Sequence, residues 1–252
     1  MTQPATDPYG LRIVRQPELI PRYIREIPPC EDEAIAIFDA DGTLWTGDVA
    51  DDFTRWMMAQ GTISAERWPT YMRIYRDDPP TGCRYLLTFY SSMTPADLAQ
   101  HLEQWWLHHS RRAWIWEAVE ALYDLARRGY PIWVVSGTPT DFLLPLTHIL
   151  PVASIVGMDF ELDRDGRFTG KHHGISCAGE GKAEKLLSLV PPSRIRFCAG
   201  NGSLDGPMMQ LAAEAWSVYP NPDFARYSRE RGWPVLPRPA DFVEEEKFLL
   251  ED

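Results

Sequence analysis

Ala34-Ile35-Ala36-Ile37-Phe38-Asp39-Ala40-Asp41-Gly42-Thr43-Leu44 joins a short apolar run to two carboxylates and a glycine turn. The apolar half has the length and the β-branched and aromatic content of a buried strand. In extended backbone, residues i and i+2 point to the same side, so Asp39 and Asp41 can address one substrate beyond the open end of that strand. Carboxylates this close repel each other, and a hard divalent cation is the usual remedy. One of them can then serve as nucleophile. The other, its proton affinity raised by its neighbour, can work as general acid and then as base. The competing reading is a capping or turn pair, since Asp-Gly is a common turn.

Outward from this stretch, further apolar runs of strand length lie at 132–135, 153–156 and 195–199, with a weaker one at 215–219. Helical patterns fall between them. The stretch 115–128 puts Ala118, Leu122 and Leu125 on one face and ends in Arg127-Arg128 before Gly129, as cations and glycine do at a helix C-terminus. Further helices are expected at 138–149, 182–189 and 205–213. Strands alternating with helices imply an α/β fold, a doubly wound parallel sheet with its ligand site at the carboxyl ends of the strands. Between Trp45 and Arg112 the alternation stops, and amphipathic stretches at 51–60, 65–75 and 95–108 replace it. An insertion of this size is too long for a connection and long enough for a helical cap. The expected organisation is therefore an N-terminal extension at 1–29, an α/β core at 30–45 and 113–252, and a cap domain at 46–112. Glu244-Glu245-Glu246 reads as a solvated helix face.

Composition narrows the partners. The chain has 252 residues, 44% of them hydrophobic, which is ample for a core, and its formal net charge of -11 gives a nucleic-acid backbone or an anionic membrane no electrostatic support. A small metabolite is the better partner. No apolar stretch approaches the roughly 20 residues of a bilayer span, and the first thirty positions lack a leader pattern, so a cytoplasmic protein is expected. Cys30, Cys83, Cys177 and Cys198 are scattered without a C-x-x-C pair and suit reduced thiols in ordinary packing. His108-His109 and His172-His173 are adjacent pairs whose members point apart, so exposed loops are expected there and not a shared metal. Trp105-Trp106 and Trp114-x-Trp116 flank the return from cap to core, where packing or a homodimer contact would use them.

With Asp39-x-Asp41-Gly42-Thr43 after the first strand, the sequence resembles the haloacid dehalogenase-like superfamily, and three further motifs follow in that family's order. Val135-Ser136-Gly137 ends the second strong run, Lys182 opens a helical pattern, and Gly200-Asn201-Gly202-Ser203-Leu204-Asp205 ends another strand. The resemblance spans residues 34–219 and is greatest to the phosphoserine-phosphatase-like branch, whose helical cap is inserted after the first motif. It also implies a β-hairpin over 161–170 with Asp165-Gly166 at its turn. It implies Asp39 as nucleophile and Asp41 as acid and base. Thr43, Ser136, Gly137 and Lys182 would surround the phosphoryl group, and Asp39, Asp41, Asn201 and Asp205 would hold Mg²⁺. The dehalogenases of the superfamily need no acid two residues after the nucleophile, so Asp41 favours phosphate. Asn201 departs from the pattern, because the family places a metal-binding aspartate there. An amide supplies no charge, so weaker metal binding is expected.

In the cap, the resemblance puts Asp48 where a carboxylate meets a substrate amine and Arg84 about where an arginine meets a substrate carboxylate. Phosphoserine is the leading substrate on that basis. Trp45, Trp56, Trp68, Tyr71 and Tyr75 beside Asp48, Asp51 and Asp52 also allow phosphocholine or phosphoethanolamine, or are simply the cap's packing. Phosphotransfer to an acceptor alcohol and a silent phosphate-binding protein are the remaining alternatives.

Overall fold

The computed structural model describes residues 16–31, 33–109 and 114–240. Seven strands form one sheet: β1 Ile35–Phe38, β2 Ile132–Pro139, β3 Val152–Leu162, β4 Phe168–His173, β5 Ile195–Gly200, β6 Glu214–Val218 and β7 Val235–Leu236. Their order is β4-β3-β2-β1-β5-β6-β7, and every neighbouring pair is parallel except β3 with β4. All four residues of β1 are buried, as its unbroken apolar run requires of a strand covered on both faces. Phe38 is in register with Val134 on one side and Ala199 on the other, so the chain leaves β1, β2 and β5 at adjacent points. Winding proceeds outward from β1 to β4, then returns to β5 and continues the opposite way. The crevice beyond β1 and β5 is the topological switch point at which such sheets bind ligands.

Helix Trp116–Arg127 ends where Gly129 takes φ +93°, a conformation that costs glycine nothing, and Tyr130 N–H caps Leu125 O at 3.1 Å. The helix expected over 138–149 is absent. Strand β2 continues through Thr138 to Pro139, and two single turns come after it, Thr140–Leu143 and Leu146–Ile149. Pro145 has no N–H to continue a helix from the first turn into the second. The extension of β2 also needs Gly157 on β3, where a Cβ would lie 2.4 Å from Thr138 O. The helix expected over 205–213 shortens to Gly206–Met209, because Ala213 N–H already pairs with Ile195 O to bring the chain into β6.

The insertion between β1 and β2 is helical, with Val49–Ala59, Trp68–Asp77, Pro79–Leu86 and Pro95–His109. Its aromatic centre is continuous with the core: Phe53 lies over Tyr90 and meets Phe142 edge-on at 4.9 Å, and Trp106 Nε1 donates to Phe142 O at 3.0 Å. Trp105 and Trp106 are buried within the chain. At the N-terminus, Ile20, Ile24 and Ile27 are buried, Tyr130 Oη donates to Pro28 O, and Tyr23 packs edge-on against Trp216. Strands β3 and β4 make a hairpin closed at Asp163–Arg167, with Gly166 at φ +73°. His172 and His173 therefore sit on a strand and not in a loop. The tail at 244–246 lies outside the described residues, as do the side chains of His108 and His109. Among the described residues no helix is long and apolar enough to cross a membrane.

Candidate active site

The turn after β1 opens the site. Asp39 keeps its N–H in the sheet, donating to Ala199 O at 2.9 Å, so its side chain is delivered at the strand's end. Gly42 takes φ +77°, and a Cβ there would lie 2.0 Å from Asn201 Nδ2. Only glycine lets the turn carry Asp41 back over the strand end while the Asn201 amide packs against it.

Asp39 is 4% exposed. One carboxylate oxygen accepts from Lys182 Nζ at 2.7 Å and the other from Thr43 Oγ1 at 2.9 Å. Burial, and after it the Asp205 charge, pushes the Asp39 carboxyl up to about 7 against the pull of Lys182. Lys182, 3% exposed on helix Glu180–Leu189, also reaches Asp205 Oδ1 at 2.6 Å. Burial works against its charge, but Asp205 and Asp39 outweigh it and hold the ammonium well above the usual lysine range. Gly181 makes the approach possible, since a Cβ there would meet Ser176 O at 1.8 Å. Asp205 Oδ2 accepts from the N–H groups of Asn201 and Gly202 at 2.9 and 3.0 Å. Two backbone donors thus tie Asp205 into the loop after β5, and Lys182 takes its other oxygen.

Asp41 lines the same space. Its Oδ1 accepts from Trp45 Nε1 and Val49 N–H, and its Oδ2 from Thr138 Oγ1, with Ser136 Oγ at 3.5 Å. Asp39, Asp41, Ser136, Gly137, Lys182, Asn201 and Asp205 all line one cavity of about 320 Å³. The size suits a small metabolite.

A model of the haloacid dehalogenase-like hydrolases matches residues 36–210, which include every one of these side chains. The chain belongs to that family. A histidinol-phosphatase of Neisseria meningitidis is 24% identical over 218 residues, covering 80% of this chain and 97% of that protein. A phosphoserine phosphatase of Mycobacterium tuberculosis is 27% identical over 223 residues, covering 82% of this chain and 72% of its own. Among solved structures, a Bordetella pertussis protein of unknown function superimposes with a TM-score of 0.72 at 20% identity, covering 80% of this chain and 97% of that one. A substrate-bound phosphoserine phosphatase does so at 0.59 and 17%, covering 82% and 94%. At these identities the structural likeness establishes the shared fold.

The helical insertion of this hydrolase supplies one wall of the cavity. Asp48 caps helix Val49–Ala59, accepting from Asp51 N–H at 2.9 Å, and burial together with the Asp41 charge holds its carboxyl well above the usual range. Asp51 and Asp52 line the cavity beside it, with Tyr71 and Tyr75, and Tyr71 Oη donates to Asp51 at 2.5 Å. Arg84 is not on this wall. Its guanidinium donates to Thr81 Oγ1 at 2.5 Å and reaches Ser176 Oγ at 3.5 Å, while Cys83 takes the cavity-facing place beside it. The expectation that Arg84 meets a substrate carboxylate therefore has no geometric support: helix Pro79–Leu86 turns that residue toward the loop before Lys182.

The arginines that do line the cavity are Arg55 and Arg238. Arg55 could have been found, since Asp48, Asp51, Asp52 and Arg55 follow the i, i+3, i+4, i+7 spacing of one helical face. Arg238 has no local signal, because it comes from the segment after β7. Trp45 and Thr138 were also missed as partners of Asp41.

Proposed function

We propose that this protein is a Mg²⁺-dependent phosphatase that hydrolyses the phosphomonoester of an amino alcohol through an aspartyl-phosphate at Asp39. The observation that carries the reading is one cavity lined both by the Asp39–Lys182–Asp205 array with Asp41 and by Asp48, Asp51 and Asp52 of the insertion. The array suits a phosphoryl group, and the carboxylates of the insertion suit a cation. The named substrates of both phosphatase relatives carry an amine. Arg84 is off the wall, and a substrate carboxylate would have to be met by Arg55 or Arg238, the arginines that line the cavity.

Asp39, held by Thr43 and Lys182, attacks phosphorus in line while Asp41 protonates the departing alkoxide. Lys182 and Ser136 hold the phosphoryl oxygens. Asp41, now a carboxylate, takes a proton from the water that opens the acyl phosphate and regenerates Asp39. The cap excludes bulk water from both steps. Among the described residues no three His, Cys, Asp or Glu side chains converge as a metal cluster. The donors that fit are hard oxygens: the Asp39 carboxylate, the Asp41 carbonyl and the Asn201 amide, with Asp205 behind them. Mg²⁺ bound there would neutralise charge on the phosphoryl oxygens.

Asn201→Asp adds the missing charge and should tighten Mg²⁺ binding at least about tenfold by calorimetry. The same change places another carboxylate beside Asp39 and Asp41 and should lower the melting temperature when no divalent ion is present. Unchanged affinity would remove Asn201 from the metal site.

The substrate is tested by kcat/KM for O-phosphoserine, histidinol phosphate, phosphoethanolamine, phosphocholine and glycerol 3-phosphate, with Asp48→Asn alongside. The amines should exceed glycerol 3-phosphate, and Asp48→Asn should raise their KM about tenfold, the scale of one charge-assisted hydrogen bond. Equal turnover of glycerol 3-phosphate would refute recognition of an amine.

A further inference from the structure

Asp41 is gripped by donors from separate segments of the chain, and those donors differ in chemical kind. On Oδ1 are Trp45 Nε1 at 3.0 Å and Val49 N–H at 2.8 Å, groups that can only donate. On Oδ2 is the hydroxyl of Thr138 at 2.6 Å, which can donate to a carboxylate and accept from a carboxylic acid. The proton that Asp41 passes to and from the substrate can therefore reside on Oδ2 without breaking a contact, whereas on Oδ1 it would face two N–H groups.

Both side-chain donors are themselves fixed. Thr138 is 3% exposed, in the part of β2 that continues past the expected strand end, and its N–H donates to Ser136 Oγ at 3.1 Å. That bond and the shorter Thr138 contact leave the Ser136 hydroxyl at the long limit of 3.5 Å from Asp41 and available to a phosphoryl oxygen. Trp45 is fully buried, its ring edge-on to Trp114 at 5.6 Å. Residue 45 forms bridges with both Asp41 and Trp114, one on each side of the cap insertion, and Ile115 N–H donates to Leu44 O beside them.

We propose that Thr138 and Trp45 are positioning residues for proton transfer, holding the Asp41 carboxylate so that Oδ2 faces the leaving oxygen. The inference rests on the acid–base reading of Asp41 made above. A carboxylate on two free torsions spends little time within the roughly 2.6–3.2 Å that transfer requires, and fixing it before the substrate arrives removes that loss from the barrier.

The dependence on leaving group separates this from a merely structural role. An alkoxide must be protonated as it leaves, whereas 2,4-dinitrophenolate departs without a proton. Thr138→Val, which keeps the shape of the side chain, should lower kcat/KM about 10- to 100-fold on O-phosphoserine or histidinol phosphate, whichever turns over faster. On 2,4-dinitrophenyl phosphate the loss should be under about threefold, and Thr138→Ser should restore the alkyl ester to within about threefold of wild type. Trp45→Phe should show the same split. Thr138→Ala, with melting curves for all variants, guards against a packing defect. Asp41→Asn is the reference and should show the largest split, about 10²- to 10⁴-fold. If Asp41→Asn shows it and Thr138→Val loses equally on both esters, or on neither, the positioning role is overturned and Asp41 keeps its own. If Asp41→Asn shows no split, the acid–base reading falls and this inference with it.

Discussion

Asp39→Asn should lower kcat by at least about 10⁴-fold while leaving the chain folded, because an amide is no nucleophile toward phosphorus but still offers Lys182 an acceptor. Asp205 keeps its charge beside the ammonium at 2.6 Å, so the array loses one of its carboxylates and not its cation. The trapping experiment separates nucleophile from bystander. With Mg²⁺ and beryllofluoride, wild-type protein should form an adduct at residue 39 detectable by ¹⁹F NMR, and the variant should not. Retention of more than about a hundredth of wild-type kcat, or an adduct in the variant, would remove Asp39 from the centre of the mechanism.

Lys182→Met should damage turnover and stability together. In the native chain the ammonium lies between two buried carboxylates, 2.7 Å from Asp39 and 2.6 Å from Asp205. Removing it leaves both uncompensated, a loss of about 3–5 kcal/mol for a broken buried pair. For a chain of this size that corresponds to a fall in melting temperature of about 6–20 °C. The sign of the pH dependence follows from the carboxylates. Burial and mutual repulsion already raise Asp39, and loss of Lys182 removes what opposes them, so the folded protein then binds more protons than the unfolded chain. Stability of the variant must therefore fall as pH rises through the raised values, and its deficit against wild type should be larger near pH 8 than near pH 5.5. A deficit that is equal at both would mean that the lysine acts through packing alone. Loss of phosphoryl-transfer rate by about 10²- to 10³-fold is expected on the same substitution.

Asp39 is legible in the amino-acid sequence from short-range facts, whereas Lys182 is legible only through the resemblance of the ordered motifs to the family. Asp39 and Asp41 share a side of extended backbone whatever surrounds them, and the Lys182 and Asp205 motifs each lie beside a strand end or open a helix. The hairpin at 161–170 is implied by the resemblance, and its Asp165-Gly166 turn signal is local. Competing local signals mislead. The region 138–149 has helical apolar spacing, but Gly157 admits the backbone of Thr138 and keeps it in the sheet, and Pro145 divides the rest into two single turns.

The order of the chemical motifs along the strands and the glycine turn after β1 were determined by the sequence itself, since neighbours along the backbone impose them, whereas the contact of Lys182 with Asp39 across 143 residues belongs to the tertiary structure. Which side chains of the cap reach the cavity was decided only by tertiary packing. Arg84 and Cys83 are adjacent in sequence, yet helix Pro79–Leu86 presents the cysteine to the site and the arginine to Thr81 and Ser176. Thr138 reaches Asp41 across 97 residues, and Arg238 lines the same cavity from beyond β7. Contacts of that range depend on how one helix rotates against its neighbours and how far one strand extends, quantities set by the packing of the whole chain and carried by no short segment of it.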